Sequence, residues 1–288
     1  MNNDIFMMPP AYWPAALIAA IFGLIVGSFL NVVIYRLPKM MQRESDNYVA
    51  SESGQPLPHT DRFNLMLPRS ACPHCGHQIR AWENIPVFGY AFIGGQCTQC
   101  KNPVSLRYPV IEAITGLLSA WTVWHFGSGV MGLAALLFLF FLIALTMIDA
   151  DTQLLPDDLT LPLLWCGLLI NLPGTFTSLS SAVIGAVAGY LSLWLVYWAF
   201  KLLTGKEGMG YGDFKLLAAL GAWMGWQMLP AIILLSSVVG AVIGMAMILF
   251  SGANRNTALP FGPYLAGAGL IALYWGHDLT SFYLGVLL

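Results

Sequence analysis

Eight stretches of this chain are apolar for so long that they leave little choice of solvent: residues 15–35, 110–124, 130–148, 159–172, 182–203, 214–229, 231–250 and 263–275. In lipid no water satisfies exposed N–H and C=O groups, so segments of this kind become helices. A spanning helix needs about 20 apolar residues. The second, fourth, sixth and eighth stretches are short by that measure, and Gly or Pro interrupts several, as at Leu161-Pro162. Only 9% of residues are charged, against roughly 25% in soluble domains. The expected fold is an all-α polytopic membrane protein with about eight transmembrane helices.

Basic residues set the expected orientation, because cytoplasmic loops carry the excess of Lys and Arg. Arg36, Lys39, Arg43, Arg62, Arg69, Arg80, Lys101 and Arg107 lie between the first and second stretches. Lys201 and Lys206 follow the fifth, Lys215 opens the sixth and Arg255 follows the seventh. The opposite loops have none. With the N-terminus outside, eight spans place all twelve basic residues on one face, the cytoplasmic one. Met1 to Ala11 lacks the basic start of a signal peptide, so the first helix is expected to be retained. A net charge of −2 gives no reason to expect a nucleic-acid partner.

This pattern predicts three parts: an N-terminal transmembrane helix over 1–37, a polar cytoplasmic insert over 38–109, and a seven-helix membrane core over 110–288. The insert contains Cys72-Pro73-His74-Cys75 and, after 21 further residues, Cys97-Thr98-Gln99-Cys100. Two C-x-x-C knuckles can present four thiolates to one tetrahedral zinc. Gly76 and Lys101 follow the second cysteines, where a tight turn is expected. Disulfides would require an oxidising compartment, whereas the charge bias puts this loop in the reducing cytosol. Four thiolates also fill the coordination sphere, which predicts a structural metal. His74 and His77 then read as surface residues, and Cys166 as a small buried hydrophobe.

Acidic residues at membrane edges are the other candidates. The third stretch runs into Asp149-Ala150-Asp151, followed by Pro156-Asp157-Asp158. The sixth opens with Gly208-Met209-Gly210-Tyr211-Gly212-Asp213. Asp157 and Asp158 read as capping and first-turn residues of the fourth span, and Asp151 as a solvated loop charge. Asp149 abuts the apolar run directly. Asp213 sits beside more glycines than a cap requires, and a glycine-rich loop lets another backbone approach. On the residues alone, a carboxylate pair and a helix cap stand side by side.

Gly210-Tyr211-Gly212-Asp213 matches the G-x-G-D signature of intramembrane aspartic proteases. More specifically, the chain resembles the bacterial type IV prepilin peptidases. The resemblance runs through Gly27 to Val32, Tyr35 to Pro38, the paired knuckles, Arg107 to Pro109 with Glu112, Asp149 to Asp157, and Gly208 to Lys215. It implies that Asp149 and Asp213 are the catalytic pair. It also implies that the substrates are type IV prepilins and type II secretion pseudopilins, cleaved at the cytoplasmic face of the bacterial inner membrane. Members with the cysteine insert usually add a methyl group to the new N-terminus from S-adenosylmethionine. Gly94, Gly95 and their neighbours between the knuckles are suggested for donor contacts, with no residue-by-residue assignment. Asn31 and Glu112, near the inner boundary, are explained more cheaply by packing or capping than by substrate.

Helix polarity suggests a division of labour. Asp213 opens a helix, where the dipole favours a carboxylate, and Asp149 ends one, where it does not. The expectation is therefore an ionised Asp213 and a protonated Asp149. Two other classes compete: an ion- or proton-coupled transporter, and a magnesium enzyme using Asp149, Asp151 and Asp157.

Overall fold

A computed structural model describes residues 13–206, 208–251 and 259–287. Arg255 and Met1 to Ala11, both used for the orientation, lie outside the described residues. Helices α1 (Trp13–Glu52), α3 (Arg107–Phe126), α4 (Val130–Thr152), α5 (Asp157–Ile170), α6 (Leu179–Thr204), α7 (Tyr211–Met224), α8 (Leu229–Ser251) and α9 (Gly262–Leu287) take up the eight apolar stretches in order. A short helix, α2 (Phe88–Phe92), lies in the insert. Among the described residues, four segments are long and apolar enough to cross a membrane: α1, α4, α6 and the stretch 226–250 that takes in most of α8. Helices α5 and α7 have 14 residues each, a length of about 21 Å.

The chain forms two compact units, residues 1–140 and 141–288, with the boundary inside α4. In the first, α1 packs along α3 through small residues. A side chain at Gly23 would meet Ser119 at 2.3 Å, and one at Gly27 would meet the Glu112 backbone at 2.8 Å. Small residues four apart let two helix backbones touch, the usual contact where lipid provides no hydrophobic drive. Helix α1 does not stop where its apolar run ends. It continues through Pro38 to Glu52, because the insert folds back on this extension. The Arg36 guanidinium donates to the carbonyls of Asn64 and Pro68 at 2.8 and 2.6 Å. Asn47 exchanges two hydrogen bonds with the backbone of His59.

In the second unit α7 is the core. Every residue from Phe214 to Met224 except Lys215 is buried. Helices α6 and α7 meet backbone to backbone: a side chain at Gly185 would lie 2.3 Å from the Gly221 carbonyl oxygen. On another side, Trp223 donates its indole N–H to Leu163 of α5 at 2.8 Å. Asn171, just after α5, donates to the carbonyls of Ala222 and Trp223, both at 2.9 Å. These bonds satisfy carbonyls at the end of α7 that have no intrahelical partner.

Candidate functional site

The first candidate is the cysteine cluster. Each knuckle closes on itself. The Gly76 N–H donates to the Cys72 carbonyl at 2.9 Å and that of Lys101 to the Cys97 carbonyl at 3.0 Å. Gly76 and Lys101 both adopt positive φ, 73° and 61°, at the tight turns expected from the sequence. A short bridge follows each turn, Ala71 with Gln78 and Gln96 with Pro103. The four sulfurs lie within 4.8 Å of one another, with Cys72 to Cys100 and Cys75 to Cys97 both at 3.8 Å. A tetrahedron with zinc–sulfur bonds of 2.3 Å has edges of about 3.8 Å. The cluster therefore fits a metal such as zinc, and no cysteine in it forms a disulfide.

Electrostatics point the same way. Backbone N–H groups of Cys100 and Gln99 bring the Cys97 thiol down to about 6. The N–H of His77 draws on the Cys75 thiol too, but desolvation and the three neighbouring sulfurs outweigh it and push that thiol up to about 12. Four sulfurs this close cannot all ionise without a cation among them. His77 departs from the surface role expected of it. Its ring lies 3.3 Å from Glu83 and 3.3 Å from the Thr98 hydroxyl. Glu83 also accepts from the Arg80 N–H and from Thr98, contacts that hold its carboxyl below the usual range. This polar cluster ties the first knuckle to the second.

The second candidate lies wholly in residues 141–288. Asp149 is in the last turn of α4 and Asp213 is the third residue of α7. Both are buried, with 4% and 7% of their surface exposed. They are close enough for the charge of Asp149 to act on Asp213 directly. Asp213 Oδ1 is buried without a hydrogen-bond partner among the described residues. Rings of Tyr197, Tyr211 and Phe214 pack against one another where α7 begins, with centroids 5.3 to 5.7 Å apart.

A third element completes the site, one that the sequence did not reveal. The Gly262 N–H, at the start of α9, donates to Asp149 Oδ2 at 2.9 Å. A side chain there would stand 2.7 Å from the same oxygen, so any larger residue would have to displace the carboxylate. The signal was local: Pro260-Phe261-Gly262-Pro263 brackets the glycine with prolines at a helix start. Gly212 is similarly constrained, since a side chain would reach Leu155 at 2.6 Å. The positive end of α9 therefore faces Asp149 while that of α7 carries Asp213. Helix polarity does not separate the two carboxylates as the sequence suggested, because α9 offsets α4.

The remaining acids stand apart. Asp157 and Asp158 are in the first turn of α5, whose N-cap is Pro156. Asp157 is exposed and takes a two-pronged salt bridge from Lys215, at 2.6 and 2.7 Å. Asp151 is exposed. Among the described residues, Asp149, Asp151 and Asp157 do not gather into a three-ligand site; the cysteines alone do. Gly94 and Gly95 turn the chain after α2 with φ of 62° and 68°.

The chain is similar to known proteins along most of its length. A profile of the bacterial peptidase A24 N-terminal domain matches residues 21–126, and one of the type IV leader peptidase family matches residues 136–245. A prepilin leader peptidase/N-methyltransferase of Stutzerimonas stutzeri is 58% identical over 269 residues, 93% of either chain. One of Pseudomonas aeruginosa is 57% identical over 265 residues, 92% of this chain and 91% of its own. One of Aeromonas salmonicida is 56% identical over 272 residues, 93% of either chain. No solved structure matches. With both profiles in register and relatives this similar along nearly the whole chain, the protein belongs to the type IV leader peptidase family.

Proposed function

We propose that this protein is a bifunctional prepilin leader peptidase and N-methyltransferase, with Asp149 and Asp213 as the hydrolytic pair. The observation that carries the reading is two buried carboxylates from separate helix ends placed within reach of each other's charge. Peptide hydrolysis by such a pair needs one carboxylate to draw a proton from water. The other, protonated, donates to the carbonyl oxygen and later to the leaving amine. Close carboxylates resist ionising together and share a proton as a unit. The Gly262 N–H orients Asp149, and the partnerless Asp213 Oδ1 is free to meet the attacking water or the substrate carbonyl.

The substrates are type IV prepilins and the related pseudopilins: apolar helices in the membrane with a basic leader in the cytosol. On this reading the eight helices cross the bacterial inner membrane with the N-terminus periplasmic, and the aspartates lie at the cytoplasmic face. There the scissile bond of a prepilin is level with them. Residues 38–109 form the cytoplasmic insert, where zinc on Cys72, Cys75, Cys97 and Cys100 holds a small segment folded. This region supports methylation of the new N-terminus by S-adenosylmethionine, while residues 110–288 supply the protease core. S-Adenosylmethionine supplies an electrophilic methyl group; the chain supplies a site that brings it to the amine.

Purified protein incubated with a prepilin, read by mass spectrometry with and without S-adenosylmethionine, tests both activities. Loss of the leader is expected in both samples and one added methyl only with the donor. An intact prepilin in both would sink the peptidase reading.

A further inference from the structure

Within residues 1–140, helices α1 and α3 and the insert enclose a cavity of about 650 Å³. That volume falls in the range of small-molecule sites, about 300–1,000 Å³. Its wall carries a carboxylate that the fold has buried without a counter-charge. Glu112 is 8% exposed and accepts a hydrogen bond from the Val87 N–H at 2.7 Å, with the Ser28 hydroxyl as a second donor close beside it. Neither donor is charged, and among the described residues no ion pair reaches Glu112. Arg36 lines the same cavity but donates to backbone carbonyls.

The backbone is strained to hold this arrangement. Val87 has φ 63° and ψ −50°, and the Phe88 N–H donates to the Pro86 carbonyl at 2.6 Å. Together these make a γ-turn of the rare positive-φ form. For a β-branched residue that conformation is a true outlier. Such strain persists where the surroundings demand it, and it gathers at binding sites. Here it directs an N–H at Glu112. Burial of this kind favours the ionised carboxylate only when a cation joins it, so a cationic ligand would complete the site.

We propose that this cavity binds S-adenosylmethionine and that Glu112 faces its sulfonium. The proposal rests on the N-methyltransferase reading above. The donor is a cationic sulfur compound with a flat nucleobase, and the aromatic residues Tyr35, Phe63 and Tyr108 are among those that line the cavity. In the transfer, the lone pair of the acceptor amine forms a bond to the methyl carbon. The electrons of the broken carbon–sulfur bond remain on sulfur, and the amine sheds a proton to water. The positive charge on sulfur disappears as the bond breaks. Glu112 thus stabilises the bound donor more than the transition state, so its effect falls on donor affinity and on the preference for S-adenosylmethionine over S-adenosylhomocysteine.

Equilibrium binding of both compounds to the full-length, zinc-loaded protein tests the assignment. Glu112→Gln should weaken S-adenosylmethionine binding at least about tenfold and narrow its preference over S-adenosylhomocysteine. Val32→Phe, which fills the cavity from the α1 wall, should weaken both ligands alike. If both variants keep their zinc and melting temperature and bind the donor as the wild type does, the cavity assignment is overturned. A different outcome separates the underlying reading: wild-type protein that neither binds the donor nor methylates a cleaved prepilin removes the N-methyltransferase activity itself.

Discussion

The cysteine cluster and the aspartate pair solve opposite problems of assembly. The four sulfurs come from two short knuckles, each shaped by its own turn, and one ion can satisfy them all. The aspartate site draws on α4, α7 and α9, and the Gly262 contact joins residues 113 positions apart. Among the described residues, one of its buried oxygens is left without a partner. A closed set of ligands builds structure, and an open buried acceptor builds reactivity. The comparison teaches that burial of polar atoms alone does not decide what a site can do; whether its set of contacts is complete is a separate property.

The largest expected effect tests the open site. Asp149→Asn and Asp213→Asn should each cut prepilin cleavage at least about a hundredfold, measured by leader release, while zinc content stays at the wild-type level. Full cleavage by either variant would break the contrast. The next largest tests the closed site. Cys97→Ser, or prolonged treatment with a strong chelator, should remove the zinc measured by elemental analysis and abolish methyl transfer. Cleavage should continue, and its loss in step with zinc would mean that the two regions act as one.

A smaller effect sharpens the account of the open site. Gly262→Ala places a methyl group against the Asp149 carboxylate and should slow cleavage by about ten- to a hundredfold through misplacement. The change should appear in kcat with substrate affinity retained. The smallest concerns Asp157. Its salt bridge with Lys215 is largely exposed, and pairs of that kind are worth about 0–1 kcal/mol. Asp157→Asn should therefore retain cleavage within about threefold; a loss as deep as that of Asp149→Asn would move Asp157 into the chemistry.

Much of this molecule was legible in the sequence, for identifiable reasons. Apolar runs report contact with lipid, so all eight helices could be placed. They report nothing about helix in water, which is why α1 runs on to Glu52 beyond its apolar stretch. Lys39 to Arg43 are good helix formers, and what holds the extension, the return of residues 59–68, is tertiary. The knuckles could be read because their geometry is set within a few residues. His77 could not, since Glu83 and Thr98 reach it only after folding. The dipole argument for opposed aspartate roles was incomplete for a similar reason: each residue's own helix is visible in sequence, whereas the α9 terminus facing Asp149 is not.

The glycine seam between α6 and α7 has a mechanical consequence. Gly185 meets Gly221, and Gly189 meets the carbonyl of Leu217, backbone against backbone, so no side-chain rotation can loosen the joint. The two helices must travel as a single lever. Asp213, the third residue of α7, rides on that stiff arm, so its position is fixed by both helices together.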